Sequence, residues 1–310
     1  MPPKFQPERD IPDLSGRIML VTGGNSGIGY ETVKQLLLKG ARVYLAARSE
    51  DKATAAIAKL DAETGGKRAL FLPLDLADLD SVRKASERFL ELEERLDVLF
   101  NNAGVMNVPT EMLTAQGYDL QFGTNAIGHF LLTELLLPAL LKSKETTGVP
   151  ARIVHVSSIG HNLAPTSGID YVSLKGGPDR DTWLKKADGW VLKSSWRLYG
   201  QSKLANILMS NYFAALHAGS IVSCAVHPGP VKTELGRFSP GWMRILNRMF
   251  FYPASVGAST QLWAGTSASA EEINGKYFVP FCKPSEPSKL ARDEGKQAEV
   301  VAYLKAQCLL

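Results

Sequence analysis

Short runs of β-branched and aromatic residues alternate with longer amphipathic stretches from residue 17 almost to the end of the chain. RIMLVT (17–22), ARVYLAAR (41–48), RALFLPLD (68–75), LDVLFNNA (96–103), RIVHVSS (152–158), SIVSCAVHPG (220–229) and KYFVP (276–280) read as strands. Helical patterns follow near 27–40, 50–63, 79–94, 117–143, 197–217 and 296–307. Near-continuous apolar strands, each followed by a helix, need cover on both faces and right-handed crossovers. The expected fold is therefore α/β: a doubly wound, seven-stranded parallel sheet with helices on both faces, of the Rossmann type, in a single domain over residues 17–310. Residues 1–16, rich in proline, read as a lead-in strapped over the surface.

Two segments break this rhythm, 159–196 and 234–252. Both follow strand ends. In open α/β sheets ligands lie outside the carboxyl ends of the strands, so long aromatic insertions there are candidate substrate walls. The first carries Trp183, Trp190 and Trp196. In the second, Trp242, Ile245, Leu246, Met249 and Phe250 share one helical face, with Arg244 and Arg248 on another. That pattern suits a lid, a core-packed helix or a helix resting on a membrane surface.

Composition narrows the function classes. Lys and Arg number 35 against 31 Asp and Glu, a net charge of +4 with no basic cluster. That argues against nucleic acid as a partner. Cys224, Cys282 and Cys308 form neither a CxxC pair nor an even framework, which suits a reducing compartment. The five histidines lack metal-ligand spacing, so no metal is expected. There is no GxSxG nucleophile elbow. The N-terminus lacks a secretory pattern and no run of about 18 apolar residues occurs, so the expectation is a cytoplasmic protein without an integral membrane segment.

The chemistry-bearing residues begin at Thr22-Gly23-Gly24-Asn25-Ser26-Gly27-Ile28-Gly29, a glycine-rich turn between the first strand and the first helix. Glycines let backbone approach a pyrophosphate, and the helix N-terminus offers free N–H groups. Tyr199 and Lys203 are spaced so that a helix puts both on one face. An ammonium beside a phenol is expected to lower its pKa from about 10. Ser157 and Ser158 end the fifth strand, and one of them can polarise a substrate oxygen.

With Asp75-Leu76, Asn101-Asn102-Ala103-Gly104, Asn125 and Pro228-Gly229 added in that order, the chain resembles the short-chain dehydrogenase/reductase family over roughly residues 15–280. NAIGHFLLTELLLPAL (125–140) and YGQSKLANIL (199–208) look most like the retinol dehydrogenase and WW-domain oxidoreductase-like group and its fungal relatives. The resemblance implies a Tyr-Lys-Ser-Asn mechanism. Tyr199 would exchange a proton with the substrate oxygen, Ser158 rather than Ser157 would polarise it, and Lys203 would sustain the tyrosine and bond the nicotinamide ribose. Asn125 would hold a water of the proton relay. It further implies adenine contacts at Asp75 and Leu76, strand tying at Asn102 beside Ala103 and Gly104, and nicotinamide contacts from Pro228 and Gly229 through Val231 and Thr233.

The end of the second strand carries Ala47 and Arg48 where an NAD enzyme needs a carboxylate. A guanidinium there suits a 2′-phosphate, with Ser49 and Asn25 as further donors, so the expected cofactor is NADPH/NADP+. The expected activity is a carbonyl reductase or alcohol dehydrogenase acting on a small hydrophobic ketone or aldehyde. The alternative is an NADP(H)-binding regulator without turnover. His161, Trp196 and Trp242 are the candidate substrate contacts, and the resemblance allows a homodimer or homotetramer paired through the helices carrying Asn125 and Tyr199. The spacing from Ser158 to Tyr199 is longer than the family's usual one, so the insertion must loop out and return without displacing the tyrosine.

Overall fold

The computed structural model describes residues 5–189, 193–232, 238 and 251–309. Within them the strands are β1 (Ile18–Thr22), β2 (Arg42–Ala47), β3 (Leu70–Pro73), β4 (Val98–Asn101), β5 (Ala151–Val156), β6 (Ile221–Val226), β7 (Tyr277–Val279) and β8 (Lys283–Ser285). They form one sheet in the order β3-β2-β1-β4-β5-β6-β7-β8. The first seven are parallel, as the alternation predicts. The eighth strand is a correction, for it runs antiparallel to β7 and pairs Val279 with Lys283. Three residues containing Pro284 carry no strand signature, and an edge position is where proline is tolerated.

Strand order reverses between β1 and β4, so their carboxyl ends open a crevice. Side chains along each strand alternate between two cores, one on each face of the sheet. Leu20, Tyr44, Leu72, Leu99 and Ile153 pack with helices Leu79–Leu92, Leu120–Thr147, Ser194–Leu216 and Glu294–Cys308. Met19, Val21, Val43, Leu45, Phe100 and Val154 face helices Gly27–Leu38, Glu50–Glu63 and Ala254–Thr266. The lead-in is more than a strap: Phe5, Ile11 and Leu14 are buried in this second core.

Leu120–Thr147 is the one helix of the described residues long and apolar enough to cross a membrane, and 72% of its most apolar stretch is buried inside the fold. It begins at Leu120 and contains a π-helical turn at Gly123–Ile127, which periodicity alone did not foresee. Such insertions cluster at functional positions. The insertion before Tyr199 folds into short turns at Ile159–Leu163 and Tyr171–Ser173 and a helix at Pro178–Ala187. One buried ion pair anchors it. Arg180 donates to Asp119 at 3.0 Å and to the Ser173 carbonyl at 3.0 Å. Burial pushes the Asp119 carboxyl upward, against the N–H of Phe122 and the Arg180 charge.

Candidate active site

The glycine turn is built by backbone conformation. Gly23 and Gly27 hold φ of +67° and +53°, the left-handed region that favours glycine. A Cβ on Gly29 would lie 2.3 Å from the Gly23 carbonyl oxygen, so only glycine lets the helix start this close to the turn. Ser26 stands at the helix N-cap without a side-chain bond into the first turn, leaving those N–H groups to a ligand or solvent. Thr22 locks the turn to the neighbouring strand end. Its hydroxyl accepts from the N–H groups of Asn102 and Ala103, each at 2.9 Å, and its carbonyl accepts from the Asn102 amide at 2.8 Å. Asn102 thus ties β1 to β4.

A cavity of about 480 Å³ runs beside the turn, lined in part by Asn25, Ser26, Gly27, Tyr30 and Lys52. Arg48 is exposed at the end of β2, next to buried Ala47. The Ser49 hydroxyl caps the helix Glu50–Glu63 by accepting from the Lys52 N–H, which leaves its own proton to donate. Asp75 accepts from the Ala77 N–H at 2.9 Å, and Leu76 is buried beneath it. A turn of positive-φ glycines, an uncapped helix N-terminus and no carboxylate at Ala47 form a cradle that fits a phosphorylated dinucleotide.

Tyr199 and Lys203 lie one turn apart on the helix Ser194–Leu216, 3% and 4% exposed. The Lys203 ammonium sits 5.8 Å from the Tyr199 ring centroid and donates to the Val156 carbonyl at 2.8 Å. Asn206 donates to the same oxygen at 3.1 Å. Gly160 makes room for the tyrosine, since a Cβ there would come within 2.7 Å of the ring. The two serines separate cleanly. The Ser157 hydroxyl donates to the Lys203 carbonyl at 2.7 Å and is spent on the helix backbone. Ser158 accepts from the Gly160 N–H at 3.0 Å, and its hydroxyl is the polar influence that opposes burial at the Tyr199 phenol.

Electrostatics correct one expectation. Burial pushes the Tyr199 phenol up to about 12, with the Ser158 bond the opposing influence. Burial pulls Lys203 down to about 7. The ammonium is aimed at Val156 rather than at the phenol, and a low-dielectric setting disfavours the charged form of both groups. Tyr199 is therefore a neutral phenol near neutral pH, a group with a proton to give.

Asn125 sits in the π-helical turn. Its side chain accepts from the Val105 N–H at 2.9 Å and donates to the Val105 carbonyl at 2.9 Å and to Ser202 at 3.0 Å. These bonds clamp the 104–109 loop to the helix Ser194–Leu216, so the side chain serves as a brace. The Asn125 carbonyl meets His129 Nδ1 at 3.1 Å, and His129 Nε2 meets the Thr22 hydroxyl at 2.9 Å. Burial holds His129 down at about 3, so it is a neutral link between the turn and the brace. Nothing in the sequence marked His129 for that place except its spacing from Asn125, four residues on the same helix.

His161 is also corrected. It is 3% exposed, its Nδ1 meets the Ser158 carbonyl at 2.7 Å, and its Nε2 accepts from the Ser288 N–H at 3.1 Å. Both nitrogens are committed, so it clasps the C-terminal segment to β5 rather than lining the cleft. Trp196 does flank the site, with its ring edge-on to Tyr199 at 6.2 Å and 87°. Trp183 instead donates to Asp170 within the insertion. Gly229 holds φ +89°, and Val231 pairs with Tyr252. Thr233, Trp242 and Trp190, with the helical face proposed for 242–250, lie outside the described residues. No metal-binding cluster is present among the described residues.

The profile of the short chain dehydrogenase family matches residues 17–180. A short-chain dehydrogenase/reductase of Armillaria gallica is 46% identical over 96% of this chain and 92% of its own length. Retinol dehydrogenase 11 of Mus musculus is 39% identical over 86% of this chain and 78% of its own. Among solved structures, an uncharacterized protein from Mycobacterium paratuberculosis superposes with a TM-score of 0.71 at 31% identity, covering 98% and 97% of the two chains. A short chain dehydrogenase from Escherichia coli CFT073 complexed with NADPH shares the fold at 23% identity, a TM-score of 0.65 and coverage of 86% and 98%.

Proposed function

The chain belongs to the short-chain dehydrogenase/reductase family, and on that premise we propose that it is an NADPH-dependent reductase of hydrophobic ketones or aldehydes. The observation that carries this reading is the buried Tyr199 at the carboxyl edge of the sheet, beside Ser158 and one helical turn from Lys203. Bound NADPH supplies a hydride. Everything else is the work of this chain.

Gly23, Asn25, Ser26, Gly27, Ile28 and Gly29 cradle the pyrophosphate, and Arg48 meets the 2′-phosphate. Ser158 orients the substrate oxygen toward Tyr199. The phenol donates its proton to that oxygen as negative charge develops there. Lys203, near its own pKa at neutral pH, stabilises the phenolate left behind. Asn125 holds the loop and helix in register. The reverse oxidation uses the same groups, with Tyr199 starting as the phenolate and taking the proton.

Three features support an apolar substrate. Ile159, next to Ser158, is 62% exposed. Trp196 stands edge-on beside the reacting phenol. The retinol dehydrogenase 11 relatives are named for a long apolar alcohol.

The homodimer or homotetramer that the resemblance allows stays a proposal. Residues 121–133 and 198–210 are buried on every side by the chain's own helices, including Glu294–Cys308. A pair would therefore meet through other parts of these helices or through another surface, and light scattering reads whether it forms.

The test of function is consumption of NADPH and of NADH against a panel of ketones, aldehydes and quinones. NADPH turnover with bulky ketones is the expected result. No turnover with any carbonyl, or a preference for NADH, overturns the reading.

A further inference from the structure

Three segments reach the cleft from different parts of the chain, and one buried glutamine joins two of them. Gln121, fully buried, lies one residue past the start of the helix Leu120–Thr147. Its side-chain carbonyl accepts from the Asn107 N–H at 2.7 Å, and its amide donates to the Ser195 carbonyl at 2.8 Å. Ser195 closes the ring by donating its hydroxyl to Asn107 Oδ1 at 2.7 Å. Asn107 takes φ +51°, a left-handed conformation that a residue other than glycine adopts at a cost. The strain is thus held by three bonds.

The ring's position gives it a use. Asn107 belongs to the loop that leaves the carboxyl end of β4, one wall of the crevice. Ser195 lies in the first turn of the catalytic helix, where the long insertion returns to the fold. The next residue is Trp196, whose ring stands edge-on to Tyr199. The insertion's other anchor, Arg180 on Asp119, lands two residues before Gln121. The middle of the excursion and its return are therefore referred to the same helix start, one turn ahead of Asn125. This resolves how an insertion of this length returns without displacing the tyrosine.

We propose that Gln121, Asn107 and Ser195 form a positioning clamp that fixes Trp196 against Tyr199 and so sets the wall on which a bulky carbonyl compound packs. The inference rests on the reading of Tyr199 as proton donor. None of the three is a catalytic residue; they act through Trp196 and the 104–109 loop. Loosening the clamp widens the cleft, which weakens the hold on a bulky substrate more than on a compact one.

The experiment compares wild type with Ser195→Ala, Ser195→Thr and Asn107→Gly, using NADPH with one compact and one bulky aromatic ketone. Hydrogen exchange is followed in parallel at the amides of 104–109 and 193–199. Loss of one such bond is expected to raise KM for the bulky ketone by roughly 2- to 10-fold in Ser195→Ala and Asn107→Gly. Turnover of the compact ketone stays within about twofold, exchange quickens in both segments, and Ser195→Thr, which keeps the hydroxyl, restores wild-type behaviour. Wild-type KM for the bulky ketone in both disrupted variants overturns the proposal, as does a Ser195→Thr enzyme as impaired as Ser195→Ala. Should wild type reduce neither ketone, the reaction assigned to Tyr199 falls. The clamp is then judged by exchange alone: faster exchange in both segments of Ser195→Ala sustains it, and unchanged protection overturns it.

Discussion

The glycine turn at 22–29 and the pair Tyr199–Lys203, for which we propose cofactor binding and proton transfer, are built on opposite principles. At the turn, function resides in the backbone: φ +67° at Gly23, φ +53° at Gly27, and a helix start so close that a Cβ on Gly29 has no room. At the pair, function resides in side chains whose charge is set by burial, with the phenol driven up to about 12 and the ammonium down to about 7. The turn is consequently sensitive to added atoms and the pair to lost ones. Between them lies a buried polar link, Thr22 to His129 to the Asn125 carbonyl, so the two regions are mechanically one.

Removing the phenol oxygen is the largest test of that contrast. Tyr199→Phe is expected to lose about 10² to 10⁴ in turnover, while NADPH binding, followed by fluorescence titration, stays at the wild-type level. A variant with both activity and binding lost would break the division between a pair that reacts and a turn that binds.

The link between the regions is tested by acid. Burial holds His129 and His155 at about 3, far below an ordinary imidazole. Their folded pKa values are depressed, so the unfolded chain takes up protons that the folded chain refuses. Stability is therefore full above about pH 6.5 and is lost as pH falls toward 3. Each histidine is expected to cost on the order of 2 kcal/mol between pH 6.5 and 4.5. Urea midpoints measured across that window check this, and His129→Gln should flatten the slope by about half.

Adding one carbon at the turn is the complementary change. In Gly29→Ala the new Cβ meets the Gly23 carbonyl and the Asn102 amide, the latter fixed by its bond to the Thr22 carbonyl. A destabilisation of about 1–3 kcal/mol is expected from overpacking, read as a lower Tm, together with weaker NADPH binding. Wild-type Tm and binding would show that the turn yields more than its contacts suggest. The smallest effect is expected at Arg48, because it is exposed and screened. Arg48→Ala should raise KM for NADPH roughly 10-fold and leave NADH nearly untouched, which steady-state kinetics with both nucleotides would resolve.

The two regions also differ in how far the sequence revealed them. The turn could be read directly, because only a run such as Gly23 to Gly29 can take positive φ values and approach a helix start so closely. The pairing of Tyr199 with Lys203 was readable from helical spacing, and so were the seven parallel strands from apolar runs. Their environment was not. Spacing suggested that Lys203 lowers the tyrosine pKa, but the direction of the shift depends on burial from all sides and on Val156 drawing the ammonium away. His161 looked available because it follows Ser158, yet Ser288, more than a hundred residues later, claims its second nitrogen. The eighth strand escaped notice because Lys283-Pro284-Ser285 pairs only by virtue of β7 beside it.

What the sequence determined by itself is local: which segments become strands and helices, where the chain must turn on glycine, and which side chains share a helical face. These follow from backbone sterics and periodicity, which act over a few residues. What the tertiary structure decided is the burial of Tyr199 and Lys203, the different partners of Ser157 and Ser158, the bonds that Asn125 makes, and the anchoring of the insertion through Asp119 and Gln121. Each of these depends on partners distant in sequence, and on the solvent that those partners exclude.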